Sequence, residues 1–526
     1  MSTQAEPVVL AVDHGTSGVK VALVTVRGRV LGWESAPITL HVTADGGAEQ
    51  CPDEWWQAFL TTAQRLLARD LVPRQSVRAV CCSTQGEGTV PVDADGNPLM
   101  NCILWMDMRG APYLRRQARG RINLLGVDAA RLVRWIRLTG GMPSTTGKDP
   151  AGHMLLVRDR FPEVYARTVK FLNVLDYMNF RLTGRLAATF DSILTSWVTD
   201  NRDPDDIHYD ARLVRDSGID AAKFPEIVPC TEVLGTIQAA VAAELGLADG
   251  VAVVAGSIDT TAAGIGAGAA ADFALHLYIG TSSWLAAHVP FKKTDPLSSL
   301  ASVPCAVPHR YLLTALQATA GGNLIFLRDS ILCAHDELFE GEAGSDFFEA
   351  MNRMAARVPA GSNGLLYTPW IWGERAPVDE RTLRAGIYNL SLHNTRADLV
   401  RAVMEGVALN TRWLLGPVSR FMRREVESLN VVGGGGSSDV WCQIVADVLN
   451  VQVRQVRDPI QANARGAAFI AAVGLGEITF DDVPDLVEFS ATYEPSPENR
   501  ALYDERFETF VEIYRRMSRV YRRLNG

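Results

Sequence analysis

Three short runs place glycine beside small polar residues or further glycines at the ends of apolar stretches: Gly15-Thr16-Ser17, Gly280-Thr281-Ser282 and Gly433-Gly434-Gly435-Gly436. Backbone N–H groups reach phosphate oxygens only where side chains are absent, and neighbouring hydroxyls add donors, so the three together could cradle a polyphosphate. Asp13 ends an apolar run just before the first of them. A carboxylate there suits hydrated Mg2+, which takes one or two carboxylates and fills its other positions with water and phosphate oxygens. The plain alternative for Asp13 is a turn carboxylate. A second strand-end aspartate, Asp259, follows Val251 to Ala255 through Gly256-Ser257-Ile258 and precedes the small-residue run Thr260-Thr261-Ala262-Ala263-Gly264. Its plain alternative is a helix N-cap.

Two common nucleotide motifs do not fit. Gly141-Met-Pro-Ser-Thr-Thr-Gly147-Lys148 resembles a P-loop, but five residues separate its glycines and Asp149 follows the lysine where Ser or Thr should ligate magnesium. Gly264-Ile-Gly266-Ala-Gly268 lacks a clean Gly-x-Gly-x-x-Gly, so a dehydrogenase is not expected.

The elements that must position these residues show an internal repeat. Val8 to Ser17 and Phe273 to Ser282 each read as an apolar strand delivering Gly-Thr-Ser, and each continues into a second strand, Val19 to Thr25 and Trp284 to Val289. Thr16 and Thr281 lie 265 residues apart, against a half-length of 263. Two similar lobes, each opening with a hairpin, are the expectation. Ala79 to Ser83, Thr89 to Asp93 and Asn101 to Trp105 read as strands, with a hairpin turn at Asp95-Gly96. Ser428 to Val432 reads as a strand running into the four glycines, and Asp439 to Leu449 as the helix after them. Pro497 to Leu524 spaces Tyr503, Phe507, Phe510, Tyr514, Met517, Tyr521 and Leu524 by threes and fours, an amphipathic packing helix with acidic residues near its start and arginines near its end.

At 526 residues, with 47% hydrophobic and 21% charged side chains, the chain is long enough for two large globular domains, and collagen-like or disordered classes are excluded. Its net charge of −9 argues against a polyanion-binding surface, so nucleic acid is not an expected partner. Met1 to Pro7 carries no basic stretch followed by an apolar one, and the most apolar run, Ala467 to Leu475, is too short to cross a membrane. No Cys-x-x-Cys pair occurs among the eight cysteines, which suits reduced thiols rather than zinc or a disulfide framework. A cytoplasmic location is the expectation, and the sequence leaves a homodimer possible.

In this order the motifs resemble the FGGY carbohydrate kinases, members of the actin-like ATPase superfamily. Asp13-His-Gly-Thr16 resembles the family's Asp-x-Gly-Thr turn and Gly256-Ser-Ile-Asp259 its Gly-x-x-Asp base element. The Gly-Thr-Ser turn and late glycine loop follow. Further likeness runs through Ala48 to Trp56, Trp105-Met-Asp-Met-Arg109, Asp176 to Gly184, Gly373-Glu-Arg-Ala-Pro377 and Arg401 to Gly406. The resemblance implies an α/β fold of two actin-like (ribonuclease H-like) lobes around an ATP and sugar cleft: residues 1–267 carrying the sugar site and base, residues 268–526 the nucleotide site. It implies that Asp259 takes the proton from a sugar hydroxyl attacking the γ-phosphoryl of ATP, with Mg2+ at Asp13. Gly15, Thr16, Ser17, Gly280 and Thr281 would face the β and γ phosphates, Gly321 would line the nucleotide site, and Gly434, Gly435 and Ser438 would hold the α-phosphate and adenosine.

For the sugar, Gln85-Gly86-Glu87 matches neither the Gln-Met-His of xylulokinases nor the Gln-Arg-Glu of glycerol kinases. Glu87 is expected to accept from substrate hydroxyls, Trp105 to form an apolar wall and Gly86 to leave room. Thr260 replaces the usual Asn or Gln after the base, and His153-Met-Leu-Leu156 stands where the family often has Lys-x-x-Trp. Asp13 to Lys20 is closest to the xylulokinase turn. A ketopentose kinase is therefore expected, with glycerol, a tetritol or another ketose as alternative acceptors. A catalytically silent sugar and nucleotide sensor is the alternative of another class.

Overall fold

The computed structural model describes residues 6–333, 344 and 346–526; residues 1–5, part of the amino-terminal stretch read above for an export signal, lie outside the described residues. Two mixed sheets organise the chain. The first contains β1 (Val8–His14), β2 (Gly18–Thr25), β3 (Val30–Pro37), β4 (Val77–Thr84), β5 (Val233–Thr236) and β6 (Ala252–Ile258) in the order β5-β6-β4-β1-β2-β3. The second contains β7 (Leu275–Ile279), β8 (Ser283–Val289), β9 (Thr294–Asp295), β10 (Leu300–Pro304), β11 (Tyr311–Gln317), β12 (Ser428–Val432), β13 (Gln452–Val456) and β14 (Phe489–Tyr493) in the order β9-β10-β11-β8-β7-β12-β13-β14.

The repeat is visible in the pairing. In the first sheet β3, β2 and β1 run antiparallel, β1, β4 and β6 parallel, and β5 antiparallel at the edge. In the second, β11, β8 and β7 run antiparallel, β7, β12 and β13 parallel, and β14 antiparallel at the edge. Both hairpin turns therefore sit at corresponding sheet positions. The parallel strands read as continuous apolar runs because both sheet faces are covered. On one face lies α1 (Pro52–Leu67), whose Trp55, Phe59, Leu66 and Leu67 bury against the first sheet. The segment between β4 and β5 forms its own cluster around α2 (Pro150–Arg160), built from Leu114, Trp135, Leu155 and Phe171.

Between the sheets the core is made mostly of alanine and valine. It joins Val9, Ala11 and Ala22 of the first sheet to Ala286 and Val432 of the second, through α3 (Asp259–Gly266) and a later helix, α6 below. The second half adds α4 (Arg396–Met422), α5 (Asp439–Leu449), α6 (Ala462–Gly474) and α7 (Arg500–Asn525). Helix α6 belongs to the second half of the sequence but packs on β1 and β4 of the first sheet, so the two halves are interlocked. Its crossing with α3 is close: a Cβ on Gly466 would stand 1.9 Å from the Ala262 carbonyl oxygen, and one on Gly266 1.8 Å from that of Ala462.

The terminal helix packs through Tyr503, Phe510 and Tyr521, which are buried, with Phe510 against Trp370, whereas Leu524, expected on the same face, is exposed. It begins at Arg500, after a 3-10 turn at Pro497–Asn499. The strand expected at Asn101 to Trp105 shrinks to Cys102–Ile103, which an isolated bridge ties to Thr89. Among the described residues no helix is long and apolar enough to cross a membrane.

Candidate active site

Strand β1 delivers Asp13 to the carboxyl end of the first sheet, where it is 4% exposed. Its register partner on β2 is Lys20, whose ammonium donates to Asp13 Oδ2 at 2.8 Å. Asn463, in the first turn of α6, donates to Oδ1 at 3.1 Å. The charge of Asp13 holds the Lys20 ammonium above its ordinary pKa. Asp13 is thus more than a turn carboxylate, since it ties the hairpin to a helix from the other half. Among the described residues no group of three or more His, Cys, Asp or Glu could hold a metal by itself. A lone carboxylate with Lys20 beside it fits a magnesium ion that arrives on phosphates and keeps most of its waters.

The Gly15–Ser17 turn closes with the Gly15 N–H donating to the Gly18 carbonyl at 3.0 Å, and Ser17 is exposed. The Thr16 hydroxyl is not free to hydrogen-bond a phosphate as expected. It donates to Gln85 Oε1 at 2.7 Å and accepts from Trp105 Nε1 at 3.1 Å. Gln50 completes the set, donating to the Thr16 carbonyl at 2.7 Å while its Oε1 accepts from Gln85 Nε2 at 3.0 Å and from Trp55 Nε1 at 3.1 Å. Gln85, 2% exposed, therefore braces the Gly15–Ser17 turn. Trp105, expected as an apolar wall, contributes a polar anchor to this set. Gly86 does leave room: a Cβ there would meet only the Ile258 side chain, at 3.7 Å.

Strand β6 carries a register shift between Val254 and Ser257, where Gly256 (φ 74°) lies so close to β4 that a Cβ would stand 2.0 Å from the Cys82 carbonyl oxygen. This bulge turns the strand end and presents Asp259 as the first residue of α3, with Ile258 as the cap, so the N-cap alternative is not what the helix uses. The preceding turn is fixed by Asp191, whose Oδ2 accepts from the Ile258 N–H at 3.2 Å and whose Oδ1 accepts from the Thr189 hydroxyl at 2.7 Å. Burial, reinforced by the charge of Asp13, pushes the Asp259 carboxyl up to about 7. Thr260, half-buried, follows it.

Glu87 sits at φ 63°. Burial and the nearby charge of Asp149 raise its carboxyl, while Arg375 and Lys148 act against that rise. Lys148 and Asp149, at the end of the P-loop-like segment, thus lie within electrostatic reach of Glu87. Lys148 is pushed down by burial and by Arg381 and Arg375. Arg375 comes from the second half on a loop fixed by buried Glu374, which accepts from the Ala318 and Arg375 N–H groups at 2.8 Å each. Sequence reasoning gave Lys148, Asp149, Arg375, Asp191 and Gln50 no role. The available signals were Gln50, inside Ala48 to Trp56, and Arg375, inside the Gly373-Glu-Arg segment.

The second-half turns form one cluster. The Gly321 N–H donates to the Gly280 carbonyl at 2.8 Å and the Gly322 N–H to that of Thr281 at 3.0 Å. A Cβ on Gly433 (φ 86°) would stand 2.6 Å from the Ile279 carbonyl oxygen, so these glycines let the turns pack on one another. Gly434 and exposed Thr281 are left facing open space. Gly435 packs on Ile279. The Ser438 hydroxyl is committed to α5, accepting from the Trp441 N–H at 3.1 Å and donating to Asn352 at 2.8 Å, rather than free for adenosine. Tyr278, stacked on Trp284 at 3.9 Å and beside Gly280, links this cluster to the carboxylates: burial and then the charges of Asp13 and Asp259 raise its hydroxyl.

The sequence model of the FGGY family of carbohydrate kinases, N-terminal domain, matches residues 8–266, and that of the C-terminal domain residues 275–475. The chain is 30% identical over 519 residues to a xylulose kinase of Staphylococcus epidermidis, covering 98% of this chain and 97% of that protein. It is 22% identical to a gluconokinase of Bacillus subtilis, covering 97% and 96%. A solved structure of ligand-bound xylulose kinase from Lactobacillus acidophilus shares the fold, with TM-score 0.83, 24% identity, and 98% and 100% of the two chains covered. The chain belongs to the FGGY family of carbohydrate kinases, and it is an ATP-dependent sugar kinase.

Proposed function

We propose that the protein transfers the γ-phosphoryl group of ATP to a hydroxyl of a ketopentose of the xylulose type, in the cytoplasm, with Asp259 as general base. The observation that carries the base assignment is the Asp259 carboxyl, presented at a strand end beside Asp13 and raised to about 7. A base with that affinity for protons is matched to taking one from an alcohol as its oxygen attacks phosphorus, and such catalysis supplies about 10² to 10⁴ in rate. Residues 1–267 supply the sugar wall and the base, and residues 268–526 most of the nucleotide site.

The turns at Gly15–Ser17 and Gly280–Thr281 would hold the β and γ phosphates through the N–H groups of Thr16, Ser17 and Thr281, those of Gly15 and Gly280 being paired within the turns, and the Thr281 hydroxyl can add a donor. Gly321, Gly434 and Gly435 would line the nucleotide. Lys20 would balance phosphate charge. Mg2+ at Asp13 would neutralise charge on the phosphates, as it does in phosphoryl transfer generally. Gln85, Trp105 and Thr16 form one hydrogen-bonded unit, so sugar contacts made at Gln85 and Trp105 are transmitted to the phosphate turn. Glu87 and Thr260 flank the reacting hydroxyl. The xylulose kinase relatives support the ketopentose assignment.

The test is a screen of purified protein with ATP and Mg2+ against pentuloses, glycerol and tetritols, reading ADP release and sugar phosphate. A pentulose should give the highest kcat/KM, and Asp259→Asn should abolish transfer while ADP still binds. Turnover of glycerol alone would reverse the substrate assignment, and transfer near the wild-type rate in Asp259→Asn would remove the base assignment.

A further inference from the structure

We propose that Asp149 is a substrate-binding carboxylate of the sugar pocket, positioned by Trp197, and that with Glu87 it selects neutral polyhydroxylated sugars over sugar acids. This rests on the kinase reading above and names the substrate class of the same cleft. Asp149 heads α2, where an aspartate ordinarily caps its own helix, yet its side chain makes no cap bond. Instead Oδ2 turns back to accept from the Ser144 N–H at 2.6 Å and from Trp197 Nε1 at 2.6 Å. Oδ1 has no hydrogen-bond or ion-pair partner among the described residues, although Asp149 is only 5% exposed.

The loop that carries Asp149 is pinned. A Cβ on Gly147 (φ 76°) would stand 2.0 Å from the Ala111 nitrogen, and one on Gly110 2.8 Å from the Gly147 carbonyl oxygen. Trp197 is held with equal firmness. It takes φ 57°, a conformation rare for a bulky side chain, its carbonyl accepts from Trp135 Nε1 at 3.2 Å, and its ring lies 2.7 Å from where a Cβ on Gly141 would be. Strain of this kind persists where the surroundings over-determine it, and such places cluster at functional sites.

Asp149 and Glu87 are near enough for the charge of one to raise the carboxyl of the other, and Asp259 acts on Glu87 in the same sense. A carboxylate oxygen that has no protein donor must be served by water or by a ligand. Sugar hydroxyls supply the missing donors, one to Asp149 and one to Glu87, while a third hydroxyl meets Asp259. A sugar acid would bring a further carboxylate beside three, and Lys148, Arg375 and Arg381 are already matched in number by those three.

The experiment is steady-state kinetics with the full-length chain on ketopentoses, glycerol and gluconate, for wild type, Asp149→Asn and Trp197→Phe, with ADP affinity and Tm measured in parallel. Asp149→Asn should raise KM for the preferred pentulose by about 10- to 100-fold, the weight of a hydrogen bond to a charged group, with a smaller loss in kcat and ADP affinity held. Trp197→Phe, which removes the positioning donor, should raise KM in the same direction by less, and it carries the test if Asp149→Asn fails to fold. A wild-type enzyme that turns over a pentulose while a folded Asp149→Asn shows unchanged KM, or that prefers gluconate, overturns this inference and leaves the kinase assignment standing. A wild-type enzyme that phosphorylates none of these compounds overturns both.

Discussion

The carboxyl of Asp259 is costly to ionise where it stands, and the same burial that would suit it to the proposed role of base makes it a liability for stability. Its folded pKa, about 7, lies above the ordinary value of 3.8. A group raised in this way contributes stability that is full below its unfolded pKa and lost as pH rises through the folded one. Asp259→Asn should therefore melt at a higher Tm than wild type at pH 8, with the gap closing toward pH 4, as thermal denaturation across pH would read. A base must act deprotonated, so with Asp259 in the proposed role wild-type kcat/KM should fall as pH drops through about 7. Much of this site was legible in the sequence. Asp13, Gln85, Glu87 and Asp259 lie at or just past strand ends, where local pattern is informative. The use of Thr16 was not, because its hydroxyl is claimed by Gln85 and Trp105, 69 and 89 residues away. Asp149 looked like an error in a P-loop because its meaning comes from Trp197, 48 residues further on.

Among the elements, the crossing of α3 and α6 couples stability to chemistry. Each helix presents a glycine to the other's backbone, and a methyl group at either position would fall inside the van der Waals radius of a carbonyl oxygen. Gly466→Val should cost about 1–3 kcal/mol or more of stability by overpacking, measured by urea denaturation. It should lower kcat as well, since α6 holds Asn463 on Asp13 and α3 begins with Asp259. A Gly466→Val variant with wild-type stability would mean that the helices can part without penalty. The two hairpins, β12 and α5 were readable because each is a long apolar run bounded by glycine. The cluster around α2 was not, since its strands are two or three residues long and its partners are remote in sequence. The migration of α6 onto the first sheet has no local signature at all, because an alanine-rich helix suits either face.

At the scale of the whole molecule, charges of opposite sign face each other across the cleft without touching. Glu87 and Asp149 come from the first half and Arg375 and Arg381 from the second; the arginine charges act against the rise of the two carboxyls, yet no ion pair within 4.0 Å joins the two sets among the described residues. The interlobe core is built largely of alanine and valine, small side chains that leave the two sheets close together. Closure on a bound sugar would shorten the gap between Arg375 and Glu87 and expel the water that could otherwise attack ATP. The radius of gyration from small-angle X-ray scattering should then fall when sugar and ADP are both present, by more than with either alone. Arg375→Met, which keeps the side chain's length and removes its charge, should reduce that compaction and raise ATP hydrolysis relative to sugar phosphorylation. If Arg375→Met compacts like wild type and wastes no more ATP, the lobes are drawn together by substrate contacts alone, and the facing charges serve only to tune Glu87 and Asp149.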